Sequence, residues 1–269
     1  YAGVRSLVSM KHVGLNVASD PFMAAATTGV SGGMVVVSAD DPGMHSSQNE
    51  QDNRHYARLA KVPALEPSDS QEAYEVMAYA FDISESFDTP VLVRMTTRVS
   101  HSKSVVKTDR SRVASSRPAG FRCNAAKYVM VPAYARLRHP LMEERLARLA
   151  TFAETFPLNQ VVWGVRSLGV ITSGVAYQYS REVFPEASFL KLGMVYPLPE
   201  NLIRYFAAQV DRLVVIEELD PFLEENIRAM GIGVSGKEFI PTVGELNPDV
   251  IEKGASRIGL LGKFSDEPG

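Results

Sequence analysis

The sequence contains a single cysteine, Cys123, among its 269 residues. One thiol cannot form a disulfide within the chain, and it cannot by itself hold an iron–sulfur cluster, which needs several thiolates. Proteins without disulfides are typical of reducing compartments. We therefore expect a cytoplasmic protein in which this chain carries no iron–sulfur cluster of its own.

Long apolar runs are also lacking, since none approaches the roughly 20 residues of a membrane span. No charged-then-apolar signal opens the chain. A large excess of charge of one sign is lacking too, because the formal net charge is −3 and acidic and basic residues are mixed along the chain. Such a balance gives no overall attraction to nucleic acid or to an anionic membrane. The sequence therefore predicts a soluble protein without either partner.

The first ten residues, YAGVRSLVSM, contain no initiator Met and lead almost at once into a predicted strand. This start is typical of a fragment or of a processed piece of a longer protein. We therefore expect a chain that is part of a longer polypeptide.

What the sequence does contain is an alternation of apolar runs with helix-like segments. This alternation favours parallel sheets covered by helices, and the length suits two medium-sized domains. The predicted fold class is therefore α/β with two three-layer, parallel-sheet domains. The strands are predicted at residues 4–10, 34–38, 90–95, 168–172, 189–192 and 213–217.

Capping residues predict where the helices begin and end. Ser68 and Gln71 form a capping box before one helix. Asp20 with Pro21, and Asp220 with Pro221, match the cap and first turn of two others. A further amphipathic helix is expected at residues 140–154, with Leu141, Leu146, Leu149 and Ala150 on its apolar side. The KHVGLNVAS segment is expected to be a loop or an early turn.

Gly231, Gly233 and Gly236 match the G-x-G-x-x-G pattern of dinucleotide-binding proteins. That pattern binds a pyrophosphate only when a strand precedes it and a helix follows it. Here the order is reversed, so we interpret the glycines as a turn that ends a helix.

Residues 100–122 lose the apolar periodicity and contain six Lys or Arg against one Asp. Basic segments can bind nucleic acid, but aromatic side chains for base stacking are not interleaved here. A solvated linker is therefore the favoured interpretation of this segment.

The polar segment DDPGMHSSQNEQDNRH, residues 40–55, follows the apolar run at 34–37. Parallel strands deliver the loops after their carboxyl ends to the ligand crevice, so this segment is interpreted as a site loop. Lys11, His12, Gly14 and Asn16 end the first strand at the same edge. Two polar loops at one edge are what a small-molecule site requires.

Simpler roles stay open for single residues of these loops. Asn16 could cap a turn, His12 could be a satisfied edge histidine, and Glu50 or Asp52 could be surface charges. His45 and His55 lack the spacing of a metal site. Ser46 and Ser47 lack the G-x-S-x-G context of a nucleophile.

Long strings of the sequence carry a family resemblance. SLVSMKHVGLNVASDPFM, SADDPGMHSSQNEQDNRHYARLAKVPALEPSDSQEAYE, ITSGVAYQYSREVFPEASFLKLGMVYPLPE and VVIEELDPFLEENIRAMGI resemble the alpha subunit of indolepyruvate ferredoxin oxidoreductase. The resemblance implies a thiamine-pyrimidine-binding domain over residues 1–100. It implies a linker and connecting helix at 101–159, and a transketolase carboxyl-terminal-like domain at 160–269.

The resemblance also implies an activity, namely the oxidative decarboxylation of arylpyruvates to aryl-acetyl coenzyme A with reduction of ferredoxin. It implies thiamine diphosphate with Mg²⁺ and 4Fe-4S clusters as cofactors, and coenzyme A as co-substrate. The implied partners are a beta subunit and ferredoxin, in a dimer of heterodimers. The family's activating Glu, its GDG element and its cysteine runs are not in this sequence, so the cofactor anchors are expected outside it.

Within the chain, the resemblance implies supporting roles. Lys11, His12, Gly14 and Asn16 would approach the pyrimidine ring, and His45 would be the catalytic group that moves protons, because an imidazole titrates near neutrality. Ser46, Ser47, Gln48 and Asn49 would line the substrate mouth. Arg54 or Arg98 would pair with the substrate carboxylate, and a structural salt bridge is an equal alternative for each. A non-catalytic binding module or a structural subunit of a split enzyme remains the alternative function.

Overall fold

The computed structural model describes residues 2–109, 120–121 and 123–261. Its strands form two sheets, and most neighbouring strands are parallel. The strands are β1 (Ser6–Lys11), β2 (Met34–Ala39), β3 (Ala64–Leu65), β4 (Val91–Met95), β5 (Gln160–Val162), β6 (Val165–Ser173), β7 (Ala187–Leu192), β8 (Met194–Tyr196) and β9 (Leu213–Ile216). The six predicted strands are confirmed, with ends that differ by up to three residues.

The helices pack on the faces of these sheets. They are α1 (His12–Val17), α2 (Ser19–Thr28), α3 (Arg54–Ala60), α4 (Ser70–Phe87), α5 (Thr97–His101), α6 (Ala125–Tyr128), α7 (Pro132–Ala153), α8 (Gly174–Val183), α9 (Glu200–Ala207), α10 (Phe222–Ala229) and α11 (Pro248–Arg257). No helix among the described residues is long and apolar enough to cross a membrane.

The first sheet has the strand order β1-β2-β4-β3-β8, and the second has the order β5-β7-β6-β9. Each contains one antiparallel edge strand, β8 beside β3 and β5 beside β7. Strand β8 therefore belongs to the first sheet although it follows β7 of the second along the chain. The carboxyl ends of the parallel strands in the two sheets face a common region, which brings residues after β2, β3 and β4 close to those after β6 and β9.

Apolar packing joins the two sheets into one body. A single buried cluster includes Leu15 and Val36 of the first sheet's layers and Ile171 and Phe206 of the second sheet's layers. Fully buried strands such as β4 are almost continuously apolar, as is typical of parallel sheets covered on both faces. The chain crosses between the sheets within this shared core.

Several predicted caps were wrong in detail. Helix α4 is capped by Asp69, which accepts from the Glu72 N–H, while Glu72 accepts from the Ser68 N–H, so the capping pair lies one residue later than Ser68 and Gln71. Asp220 does not cap α10, because its carboxylate lies 3.1 Å from His55 Nε2.

The predicted start and apolar face of one helix were also wrong. Helix α7 begins at Pro132, eight residues before the predicted start, and tolerates Pro140 inside it. Its buried face is Met142, Arg145, Leu149 and Ala153, which leaves Leu141 48% exposed. The segment after β1 was expected to be a loop or an early turn, and it is the six-residue helix α1, which agrees with the second alternative. Its apolar Leu15 is fully buried in the core.

Part of the predicted linker packs against helix α4 of the first sheet. Lys107 N–H donates to Gln71 and Asp109 N–H donates to the Tyr74 hydroxyl, so this stretch lies against α4. Residues 110–119 and 122 of the linker prediction lie outside the described residues. The turn interpretation of Gly231 is confirmed, since it follows α10 with a φ of 80°.

Candidate active site

The two polar segments predicted at the carboxyl edge of the first sheet are in direct contact. Lys11, the last residue of β1, donates from its ammonium to the Ser46 carbonyl at 2.8 Å. It also donates to the hydroxyls of Ser46 at 2.6 Å and Ser47 at 2.9 Å. Strands β1 and β2 are parallel neighbours, and this is why the residues after each of them meet.

Side chains of helix α1 form hydrogen bonds with the second half of the site loop, residues 49–51. His12 is fully buried, and its Nε2 lies 2.9 Å from the Asn49 side-chain oxygen. Asn16 and Gln51 exchange two amide hydrogen bonds, at 2.9 and 2.7 Å, and the Tyr56 hydroxyl donates to Asn16. These polar groups are therefore engaged with one another, and they hold residues 49–51 against α1.

Gly14 has a packing role in this structure. A Cβ at this position would lie 2.9 Å from the Met10 Cβ, which is closer than ordinary contacts allow. The small residue therefore lets α1 fold back on the end of β1. The contact that requires glycine at this position is with Met10, and the predicted approach of a cofactor to Gly14 stays untested.

Asp41 organises the tip of the site loop. Its carboxylate accepts from the Ser46 N–H at 2.9 Å, from the Ser47 hydroxyl at 2.7 Å and from the Thr97 hydroxyl at 2.9 Å. Burial alone would raise the pKa of Asp41, but these hydrogen bonds, together with one from the His45 N–H, hold it below its usual range. The loop is therefore wound around a carboxylate that stays ionised.

Replacing Asp41 with Asn should loosen this loop. The substitution keeps the shape but removes the charge that four donors share, and charge-assisted hydrogen bonds contribute about 1.5–3 kcal/mol each. We expect faster amide hydrogen exchange at residues 44–47 with the exchange of strand β7 unchanged. Asp211→Asn, on an exposed side chain, is the matched control. Equal exchange in the two variants would show that Asp41 does not order the loop.

A loop that follows strand β9 of the second sheet, and that contains Gly244 and Glu245, contacts the site loop. Glu245 Oε2 lies 3.4 Å from His45 Nε2, and the same carboxylate forms a bidentate salt bridge with Arg98. The Glu50 carboxylate accepts from both the Gly43 N–H and the Gly244 N–H, so it joins the two loops. Gly43 has a φ of 84°, a backbone conformation that glycine adopts without strain.

Beneath the loops lies a buried ionic network between the sheets. Arg94 of β4 is fully buried and donates to Asp40 at 2.6 Å and to Glu66. The ion pairs of the network join Arg54 and Arg94 to the buried carboxylates of Asp40, Asp52, Glu66 and Glu217. The buried Glu218 carboxylate lies near enough to be influenced by the charge of Arg94. The network's carboxylates outnumber its guanidinium groups.

Arg54 connects the site loop to the second sheet. Its guanidinium donates to both oxygens of Asp52, to Glu217 at 2.6 Å and to the Glu218 carbonyl at 2.9 Å. The side chain is completely buried. Arg98 is likewise paired, with Glu245. For both arginines the structure shows the salt-bridge alternative, and Arg54 offers no open donor to a substrate carboxylate in this conformation.

The surplus of buried negative charge shifts the proton affinity of the network. Burial raises the pKa of Asp40 to about 6 against the opposing charge of Arg94. Burial raises the pKa of Glu218 to about 7, again opposed by Arg94. Burial also raises the pKa of Glu217, opposed by Arg54. Asp40 and Glu218 therefore still bind protons near pH 6 to 7, where ordinary carboxyl groups are ionised.

A cavity of about 90 Å³ opens at this edge of the first sheet. Its volume suits several water molecules or a small polar ligand. It is lined by Lys11, Ala39, Asp40, Asp41, His45, Ser46, Thr97, Ser100 and His101. Lys11, His45 and Ser46 were predicted site residues, and the structure brings them together here.

The lining groups of this cavity do not form a binding site for the diphosphate of a thiamine cofactor. The lysine ammonium in the cavity is already bonded to two serines, and Asp41 is occupied by its own donors. The Ser46 hydroxyl and the His45 imidazole that also line the cavity suit a small keto or carboxylate group, and they do not fit a diphosphate with its metal ion. Among the described residues, no group of three or more His, Cys, Asp or Glu side chains is arranged to hold a metal ion.

Sequence reasoning missed several residues of the site. Glu245 and Thr97 reach the site from parts of the chain far from residues 40–55, and His101 lies at the end of α5. Gln48 and Asn49 of the predicted mouth are not among the residues that line the cavity, and the Asn49 side chain contacts His12 instead. In the sequence, only Arg94 could have indicated the buried ionic network, because it is a charged residue within an otherwise apolar strand.

No protein-family model matches the chain. The chain is 45% identical, over 99% of its length, to indolepyruvate oxidoreductase subunit IorA of Methanothermobacter thermautotrophicus. It is 40% identical over 95% of its length to the subunit of the same name from Archaeoglobus fulgidus, and 37% identical over 91% to that from Pyrococcus horikoshii. The alignments cover 45%, 42% and 40% of these relatives, so the chain spans less than half of their length.

Solved structures share the fold at low sequence identity. A 2-oxoglutarate:ferredoxin oxidoreductase from Magnetococcus marinus superposes with a TM-score of 0.71 at 16% identity, covering 97% of this chain and 54% of that one. A split-gene transketolase, described as an inactive beta4 tetramer, gives 0.53 at 11% identity and covers 96% of this chain and 76% of that one. The predicted fold class and the predicted resemblance are thereby confirmed.

Proposed function

We propose that this chain forms part of the alpha subunit of a thiamine diphosphate-dependent 2-oxoacid oxidoreductase that acts on indolepyruvate and other arylpyruvates. The observation that carries the proposal is the match to IorA subunits over 99% of the chain at 45% identity. The geometry supports it, because the matched segments KHVGLN and DDPGMHSSQNEQDNR meet around one polar cavity.

The chain's own residues would form the substrate-facing wall. Thiamine diphosphate, when bound, supplies an electron sink for decarboxylation, and its diphosphate and Mg²⁺ would be held outside this chain. The Ser46 hydroxyl, whose oxygen accepts from Lys11, would donate its own proton to a 2-oxo or carboxylate oxygen at the cavity, and the Lys11 ammonium would add positive charge beside that oxygen. His45, with 44% of its side chain exposed, would exchange a proton with that oxygen.

The remaining components of the reaction are proposed for the assembled enzyme. Coenzyme A would accept the acyl group, and 4Fe-4S clusters carried elsewhere would pass electrons to ferredoxin. A beta subunit would complete the enzyme, in a dimer of heterodimers. The sequence and the described residues of this chain contain no set of thiolates for a cluster, which agrees with that division of labour.

The direct test is activity of the full-length alpha subunit expressed with its beta partner under anaerobic conditions. We expect indolepyruvate- and coenzyme A-dependent reduction of ferredoxin, with pyruvate and 2-oxoglutarate used more slowly. Copurification with the partner but no turnover of any 2-oxoacid would favour a non-catalytic, structural subunit and reject the proposal.

Within that enzyme, His45→Ala should lower kcat at least tenfold, because positioned acid–base groups contribute about 10²–10⁴-fold. The matched control is His139→Ala, since His139 lies on α7 with its side chain 66% exposed and pairs with Glu143 at the surface. Steady-state kinetics equal to the wild type in His45→Ala would remove His45 from the mechanism.

A further inference from the structure

Glu245, which lies between strand β9 of the second sheet and helix α11, contributes its carboxylate to the proposed active site. It lies 200 positions from His45 in the sequence, yet its Oε2 is 3.4 Å from the imidazole Nε2. Its side chain is 17% exposed, whereas that of His45 is 44% exposed. The carboxylate is therefore the more enclosed partner of the pair.

The position of Glu245 is fixed from two sides. Arg98 holds the carboxylate with two hydrogen bonds, one of them 2.6 Å long. The neighbouring Gly244 N–H donates at 3.1 Å to Glu50, whose carboxylate also accepts from Gly43 in the site loop. A bidentate arginine contact restricts rotation of a carboxylate, so Glu245 presents a defined oxygen to His45.

We infer that Glu245 is a positioning residue for His45, which orients the imidazole with its proton on Nε2 and leaves Nδ1 as the free acceptor. This inference rests on the proposed function of the site. A hydrogen bond to one ring nitrogen decides which nitrogen carries the proton in a neutral histidine. The hydrogen bonds from Arg98 hold the pKa of Glu245 below its usual value, so the acceptor is ionised whenever the ring is neutral.

The contrasting possibility is an ordinary surface ion pair. Such pairs contribute little to the stability of a fold, because water screens the two charges. The two possibilities differ in what happens to the imidazole when the carboxylate is removed. A positioning role changes the tautomer of His45, whereas a surface pair leaves it as it was.

The first measurement is ¹⁵N NMR of the imidazole rings in the 269-residue chain, at about pH 8.5, where an ordinary imidazole is neutral. The chain has five histidines, and His45→Gln identifies the signals of His45. We expect the wild type to show a proton on Nε2 of His45, and Glu245→Ala to show a mixture of both tautomers. Glu245→Asp should recover part of the wild-type pattern, and Glu245→Met gives a second readout that preserves side-chain volume.

The second measurement is turnover in the assembled enzyme. Glu245→Ala should lower kcat about tenfold with KM within about twofold, since positioned proton transfer acts on the chemical step. Glu238→Ala, which changes an exposed carboxylate of the same unit, should match the wild type in both measurements.

The outcomes separate this inference from the proposed function. An unchanged His45 tautomer in Glu245→Ala would overturn the inference, whatever the effect on turnover. A changed tautomer combined with normal turnover in His45→Ala would support the positioning by Glu245 and reject the catalytic role of His45. A changed tautomer with loss of turnover in both variants would support both.

Discussion

Replacing Arg94 with Met should destabilise the folded chain by about 3–5 kcal/mol, because it leaves buried carboxylates without their cation. Arg94 is fully buried and lies between Asp40, Glu66 and Asp52, the last at 3.6 Å. Met preserves most of the side-chain volume, so the loss reports mainly on charge. The measurement is the free energy of unfolding in urea at neutral pH.

The matched control is Arg5→Met. Arg5 also bonds two carboxylates, Asp82 and Glu85, but these pairs lie at the surface. Exposed pairs contribute about 0–1 kcal/mol, so we expect a loss in that range. A loss below about 1 kcal/mol in Arg94→Met would mean that the network does not depend on this guanidinium. If Arg94→Met is unfolded at neutral pH, partial refolding near pH 5, where Asp40 binds a proton, would support the same explanation.

Arg94 also shows where sequence reasoning stops. The run at residues 90–95 predicts a buried strand from its valines and leucine, and that strand is confirmed as β4. The pattern assigns no partner to a charged residue within the run. Its partners, Asp40 and Glu66, follow two different strands, and only the sheet order β2-β4-β3 places them on either side of it. A local pattern carries no information about that order.

The fold was predicted well where the signal is local. Apolar periodicity located the six predicted strands, and Gly231 marked the end of α10. The predicted helix starts were wrong where residues distant from the start supply the capping hydrogen bonds or the packing contacts. Glu217, six residues before Leu223, accepts the free N–H groups at the start of α10, and this left Asp220 free to face His55.

The site was predicted in position but not in composition. Residues 40–55 and the segment after β1 do meet, because parallel strands place their carboxyl ends at one edge. Glu245 could not be found, since it lies in a loop whose only link to the site is through packing between the two sheets. The roles predicted for Lys11, His12, Asn16 and Ser47 remain predictions, and their side chains bond mainly to one another.

The interface network and the site loop form one continuous structure. Asp40 begins the loop and accepts from the Asn53 N–H near its end, at 3.0 Å. Arg54 follows directly and reaches the second sheet. On the opposite side, the Glu66 carboxylate accepts from Ser173, and a Cβ at Gly174 would lie 2.5 Å from it. The conformation of the site loop therefore depends on the contacts between the two sheets.

The charge surplus in that contact predicts that the chain loses stability as the pH rises through neutrality. Burial raises the pKa of Asp40 to about 6 and that of Glu218 to about 7 in the folded state. In the unfolded chain both groups lose their protons near pH 4. The folded state therefore binds more protons between these values, and its extra stability is complete below about pH 4 and disappears as the pH passes the folded values.

We expect the free energy of unfolding to fall by about 2–5 kcal/mol between about pH 4.5 and pH 7.5, measured by urea denaturation at constant ionic strength. Asp41 and Asp52, whose folded pKa values are lowered, act in the opposite direction but only in more acidic solution. Glu218→Gln keeps a neutral side chain in place and should flatten the slope above about pH 6, because no buried proton is then lost. Glu225→Gln, on the exposed side of α10, should keep the wild-type slope. Parallel pH curves for the two variants would show that Glu218 is ionised in the folded chain and that the raised proton affinity does not exist.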